Sequence, residues 1–251
     1  MKTCASVRDC TASGKSDGSP RRALTHLPRR IALPDPAVEA WLLRLDVSAL
    51  HLQQCALLMS RDEHARAARF HFQRDRSRYT VARAMLRVLL GNHLGLPPAA
   101  LALSQAANGK PCLADPPVPV RFNLAHSGDI AIYAICRDGE PGVDVEQLDR
   151  TVAYDRLAQK FFSARELAEL QRIPVASRKF AFLSCWTRKE AVVKATGDGL
   201  RTPLCEVEVT VAPDAQPRLL RIPNGNAADW TLYALDAGST CTATLALRRT
   251  P

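Results

Sequence analysis

Apolar residues recur along this chain with two different periods. From Asp75 to about Leu94 the spacing is helical: Tyr79, Ala82, Leu86, Leu89 and Leu90 form one stripe. Gly95 and Pro97-Pro98 mark where that helix must stop. Phe180 to Ala195 predicts a second long helix, ended by Gly197 and Gly199. Shorter helices are predicted over 49–59, over Arg61–Phe70 and after Ser163. The last two begin with a capping box, Ser60 with Glu63 and Ser163 with Glu166. Strand-like stretches fall at Val38–Leu45, 101–104, from Val120 to a turn at Ser127-Gly128-Asp129, Ile130–Cys136, around Gly142–Glu146, 204–211, Trp230–Leu235 and Thr240–Leu247.

The order of these elements repeats. A long helix, a Gly-Leu stop, a strand and a hairpin occupy 75–136, and the same series occupies 180–247. The unit is far longer than a solenoid repeat. The predicted fold class is α+β: a pseudo-dimer of two similar helix-plus-antiparallel-sheet halves with a cleft between them. The predicted division is a flexible N-terminal tail over 1–30, an N-terminal half over 31–139 and a C-terminal half over 140–251. The tail is rich in Ser, Thr, Gly, Arg and Pro and has no secretory apolar core. Its Gly14-Lys15-Ser16 lacks the preceding strand and first glycine of a phosphate-binding loop.

Composition narrows the partners. At 251 residues and 47% hydrophobic, the chain can bury a sizeable core. The net charge of +9 favours an acidic or phosphorylated partner. Arg76, Arg78, Arg83 and Arg87 decorate the first long helix. Nucleic acid is not favoured: aromatics make up 6% and do not interleave with the basic residues. The eight cysteines are scattered without zinc spacing, as expected of free thiols in a reducing cytoplasm. No apolar run reaches the length of a membrane span.

The chemistry concentrates in two stretches. In Gly142-Val143-Asp144-Val145-Glu146 the carboxylates stand two apart, on one face of a strand. Such a pair repels itself unless a cation joins it. In Trp186-Thr187-Arg188-Lys189-Glu190-Ala191-Val192-Val193-Lys194, Glu190 and Lys194 share one helix face. If the two faces meet, three carboxylates and a lysine suit a divalent cation on a phosphate. Lys110 and Pro111 sit at a turn, and His126 stands at the end of a strand, where it can reach a ligand.

Taken together these stretches resemble the Sfp-type 4′-phosphopantetheinyl transferases. The resemblance runs in register through Arg66-Ala-Ala-Arg69-Phe70, Gly109-Lys110-Pro111, Phe122-Asn-Leu-Ala-His126-Ser127, Gly142–Glu146, Phe161-Phe162-Ser163-x-x-Glu166 and Trp186-x-x-Lys189-Glu190-Ala191-x-x-Lys194. It implies transfer of the phosphopantetheine arm of coenzyme A to a serine of an acidic apo carrier protein, releasing adenosine 3′,5′-bisphosphate. It also implies a soluble monomer that needs Mg²⁺. On that resemblance Asp144, Glu146 and Glu190 hold the metal, and Lys194 and His126 contact the pyrophosphate. Lys110, Pro111, Arg66 and Arg78 lie toward the nucleotide, and Glu190 takes the serine proton. Two positions depart from the family pattern: Ala125, where serine is frequent, and Glu63, where some members are basic. Two rival readings are another Mg²⁺-dependent pyrophosphate-cleaving enzyme and a basic nucleic-acid-binding module.

Overall fold

The computed structural model describes residues 27–106, 109–114, 120–151, 153–197 and 202–249. In chain order come β1 (Arg29–Ile31), β2 (Val38–Arg44), α1 (Ala49–Ala56), α2 (Arg61–Ala68), α3 (Gln73–Leu94), β3 (Leu103–Gln105), β4 (Pro111–Leu113), β5 (Arg121–Ser127), β6 (Ile130–Cys136) and β7 (Glu140–Gln147). They are followed by α4 (Tyr154–Phe161), α5 (Ala164–Arg172), α6 (Val175–Thr196), β8 (Glu208–Val209), β9 (Leu219–Arg221), β10 (Trp230–Ala234) and β11 (Cys241–Arg248). The class is α+β, with antiparallel sheets ordered β1-β2-β6-β5 and β10-β11-β7.

The sheets stack, and a 22-residue helix covers each outer face. β6 is buried along its whole length because both its faces are covered. Ala131, Tyr133 and Ile135 join the α3 core, where the Tyr133 hydroxyl donates to the Ala82 carbonyl at 3.0 Å. Ile130, Ile132, Ala134 and Cys136 point the other way, against Val143, Val145, Ala243, Leu245 and Leu247 of the second sheet. Strand alternation therefore decides the site. Val143 and Val145 belong to the core between the sheets, so Gly142, Asp144 and Glu146 must face α6. At Gly142 the helix comes so near that an added Cβ would lie 2.0 Å from the Ala191 carbonyl oxygen. Only glycine allows that approach.

Two stops behave as the sequence predicts. Gly95 and Gly197 take left-handed conformations at the ends of α3 and α6, with φ of 68° and 76°. Both capping boxes form, at Ser60/Glu63 and Ser163/Glu166.

Other expectations need correction. The first strand pairs from Arg29, so the expected tail boundary at residue 30 falls inside β1. Residues 1–26, which hold most of that tail, lie outside the described residues, as does Gly199. The second long helix starts at Val175, five residues before Phe180, with Pro174 as its N-cap. The strand expected over 101–104 forms at Leu103–Gln105. Tyr154–Phe161 is a helix outside the expected set, although Tyr154, Leu157, Ala158 and Phe161 recur at helical spacing and pack on the core.

The strand predicted over 204–211 is largely absent: Leu204–Glu206 is a 3₁₀ turn and only Glu208–Val209 pairs, with β9. Its apolar alternation is nonetheless real, since Val207, Val209 and Val211 are all buried. Side chains replace the missing ladder. Lys189 donates to the Val207 carbonyl, Arg188 donates to the carbonyls of Thr210, Ala212 and Ala215, and Glu166 accepts from the Val209 amide. Those groups are satisfied without a second strand.

Candidate active site

The packing of α6 on β7 joins the two stretches that the sequence singled out. The Lys194 Nζ donates to Asp144 Oδ1 at 2.6 Å. Asp144 is 7% exposed, and its other oxygen, Oδ2, is buried with no hydrogen-bond partner among the described residues. Burial pushes the Asp144 carboxyl up to about 7; Lys194 pulls it down, while Glu190 and Glu146 push it further up. Glu190 is half-buried, and its carboxyl is also raised, by burial first and by Glu146, against the pull of Lys194. Three carboxylates thus act on one another in one neighbourhood, with a single lysine held against the most buried of them.

Glu146 is held from both sides of the sheet seam. Its Oε2 accepts from Ser127 Oγ at 2.8 Å and from Arg150 Nη1 at 2.6 Å. Among the described residues no group of three His, Cys, Asp or Glu side chains is close enough to hold a metal by itself. The donor set still fits a hard cation. It is all oxygen, it carries an orphaned buried carboxylate oxygen, and its charges repel. Mg²⁺ needs only one or two protein carboxylates when phosphate and water supply the rest.

The basic residues reach this neighbourhood unequally. Lys110 donates to the Lys194 carbonyl at 3.4 Å and pairs with Glu140 at 3.6 Å, so it sits at the C-terminal end of α6. Pro111 follows it as the first residue of β4. His126 is exposed near the end of β5. Its imidazole is held below the usual value, by partial desolvation first and then by the Lys194 and Arg78 cations, so it is neutral near pH 7. Arg78 makes a two-pronged pair with Asp46, both bonds at 2.7 Å. Arg66 is exposed and lies over the Tyr79 ring at 5.9 Å. Among the described residues no contact draws Arg66 to the carboxylates.

Both departures from the family pattern turn away from the site. Ala125 is buried in the core between the sheets. Glu63 is buried in the α2–α3 contact, where Arg83 and Arg87 bind it and Arg87 continues to the carbonyls of Pro98 and Leu101. Lys189, part of the quoted helix motif, also faces inward. It pairs with Glu166 at 2.5 Å with neither side chain exposed, fastening α5 to α6. Sequence reasoning missed Ser127 and Arg150. Ser127 ends β5, and no local spacing points it at a carboxylate on β7; Arg150 stands four residues after Glu146, beyond the end of that strand, where no strand or helix period pairs the two.

Known proteins resemble this chain along most of its length. The model of the 4′-phosphopantetheinyl transferase superfamily matches residues 140–245, and that of the 4′-phosphopantetheinyl transferase N-terminal region matches residues 47–137. The chain is 35% identical to the 4′-phosphopantetheinyl transferase HetI of Nostoc sp., over 88% of this chain and 91% of that one. It is 30% identical to the 4′-phosphopantetheinyl transferase psf-1 of Bacillus pumilus, over 70% and 73%. The crystal structure of Thermotoga maritima holo-[acyl-carrier-protein] synthase covers 45% of this chain and 65% of its own, with a TM-score of 0.37 at 17% identity. The chain belongs to the 4′-phosphopantetheinyl transferase superfamily, enzymes that transfer phosphopantetheine to carrier proteins.

Proposed function

We propose that the transfer takes place where α6 crosses β7, with Mg²⁺ as the metal and coenzyme A as the donor. Asp144, Glu146 and Glu190 hold the metal in this reading. The observation that carries it is Asp144: a buried carboxylate with one oxygen on Lys194, the other unpartnered, and two further carboxylates raising its proton affinity. A divalent cation relieves all of these at once. When bound, Mg²⁺ offsets charge on the pyrophosphate and polarises the phosphorus under attack.

The chain's own groups do the rest. The carrier serine oxygen bonds to the phosphorus that bears the pantetheine arm, and the bond from that phosphorus to the nucleotide oxygen breaks. The serine proton passes to Glu190. Glu190 suits that role by its placement; a bound cation would offset the rise in proton affinity that burial and Glu146 give its carboxylate. Lys194 exchanges Asp144 for the leaving oxygen, where negative charge builds. Neutral His126 supplies an N–H to a phosphate oxygen. Lys110, with Pro111 fixing its turn, faces the nucleotide end, and Arg78 and Arg66 form the outer cationic rim for adenosine 3′,5′-bisphosphate. The net charge of +9 suits an acidic carrier protein. We place the enzyme in the cytoplasm as a monomer; no helix among the described residues is long and apolar enough to cross a membrane. The test is Asp144→Ala: Mg²⁺-dependent transfer to an apo carrier should be abolished, and transfer unchanged at limiting Mg²⁺ would overturn the reading.

A further inference from the structure

We propose that the Ser127 hydroxyl is a positioning group for the Glu146 carboxylate, reaching across the seam between the two sheets. The inference rests on the metal reading above. Ser127 closes β5 in one sheet, and Glu146 lies on β7 in the other. No backbone ladder joins these strands; side chains do. The Val143 amide donates to Asn123 Oδ1 at 3.0 Å, and the Gln147 amide donates to Ser127 Oγ at 3.2 Å. Ser127 is 4% exposed. A hydroxyl has one proton. Because the Gln147 amide is itself a donor, the Ser127 proton goes to Glu146 Oε2, at 2.8 Å.

The hydroxyl is held firmly. Gly128 follows with φ of 56°, and an added Cβ there would lie 1.8 Å from Gln147 Oε1. Gln147 lies across this turn and donates to Asp129 Oδ1 at 2.7 Å. The β5–β6 turn is therefore fastened to the end of β7 at two points, of which only Ser127 touches Glu146. Arg150 adds a second donor to the same oxygen, Oε2. Among the described residues Oε1 takes no hydrogen bond, so the two donors leave one oxygen available for a cation. Groups that hold a ligating carboxylate in this way commonly change metal affinity about 10–100-fold when removed.

The test compares Ser127→Ala, Ser127→Thr and Gln147→Ala with the full-length parent. Mg²⁺ affinity is measured by calorimetry in the presence of coenzyme A, and half-saturating Mg²⁺ by transfer assay. Ser127→Ala should weaken Mg²⁺ binding about tenfold or more, with a much smaller drop in turnover at saturating Mg²⁺. Ser127→Thr keeps the hydroxyl and should recover most of the affinity. Gln147→Ala loosens the same turn and leaves Glu146 untouched; its Mg²⁺ affinity should match the parent's. Equal weakening in Gln147→Ala, or no weakening in Ser127→Ala, overturns the inference. Asp144→Ala separates the two levels. If that variant binds Mg²⁺ like the parent, the metal site itself is misplaced; if it loses Mg²⁺ while Ser127→Ala does not, only the role of Ser127 fails.

Discussion

Glu190 and Lys194 stand one helical turn apart and face the same carboxylates, yet their substitutions should separate. In the proposed mechanism Lys194 meets charge already present on coenzyme A as well as charge that develops as the bond breaks. Lys194→Ala should therefore weaken coenzyme A binding and slow turnover together. Glu190→Gln keeps the shape and removes the basicity. Its turnover should fall by about 10²-fold or more, with much less change in coenzyme A affinity. Calorimetry and a transfer assay with a matched apo carrier measure the two quantities. Normal turnover in Glu190→Gln would remove Glu190 as the base. These side chains were legible in the sequence because i,i+2 on a strand and i,i+4 on a helix each fix a common face. That the faces meet was legible only in part, since it depends on Gly142 letting α6 approach to within a carbonyl's reach of the strand.

Two short helices, α2 and α5, are fastened by buried ions as well as by apolar contacts. Glu63 caps α2 and binds Arg83 and Arg87 of α3. Burial alone would raise its carboxyl. Hydrogen bonds from Arg87, the Ser60 amide and Arg83 outweigh burial and hold it below the ordinary range. A carboxyl depressed in the folded state adds stability above its unfolded value of 4.5, and that stability is lost as pH falls through the folded value. Glu63→Gln should thus melt well below the parent near pH 7, and the gap should narrow as pH falls below about 4. A constant gap in thermal melts from pH 7 to pH 3 would show that the ionised carboxylate contributes nothing. On the other side, Lys189→Met leaves Glu166 buried without its cation. It should cost about 3–5 kcal/mol in urea unfolding, while the folded fraction keeps its affinity for coenzyme A.

This ionic fastening explains where sequence reasoning fell short at the scale of elements. Periodicity found α3, α6, β6 and the β10–β11 hairpin, because apolar burial shapes them. It misread 204–211, where Arg188, Lys189 and Glu166 take the backbone partners that a neighbouring strand would have had. It passed over α4 for a different reason: the apolar stripe of Tyr154, Leu157, Ala158 and Phe161 is present, but the helix is only eight residues long and has no side-chain cap to mark its start. Long-range ion pairs leave no local period to read.

The whole molecule is organised around the core between the sheets. Eight of its buried apolar residues precede residue 140 and eight follow it. Each fully buried Ile, Leu or Val is worth about 2 kcal/mol, so the two sheets support each other, and the site at their seam depends on both. Residues 1–26 of the expected tail lie outside the described residues. Among the described residues strand pairing begins at Arg29, whose guanidinium donates to the Asp236 carbonyl at 2.8 Å. The tail's composition offers little apolar surface to bury. Removing residues 1–28 should leave the melting temperature and the transfer rate nearly unchanged; a large loss of either would show that the tail packs on the fold.

The central claim is that carboxylates from β7 and α6 form a Mg²⁺-dependent site for phosphopantetheine transfer. Mass spectrometry of an apo carrier protein, incubated with coenzyme A and the parent or the Asp144→Ala protein across a Mg²⁺ series, tests it most directly. The parent should add one phosphopantetheine to the carrier only when Mg²⁺ is present, and Asp144→Ala, though folded, should add none at limiting Mg²⁺. Modification by the parent in the presence of a chelator, or by Asp144→Ala at the parent's rate, would contradict it.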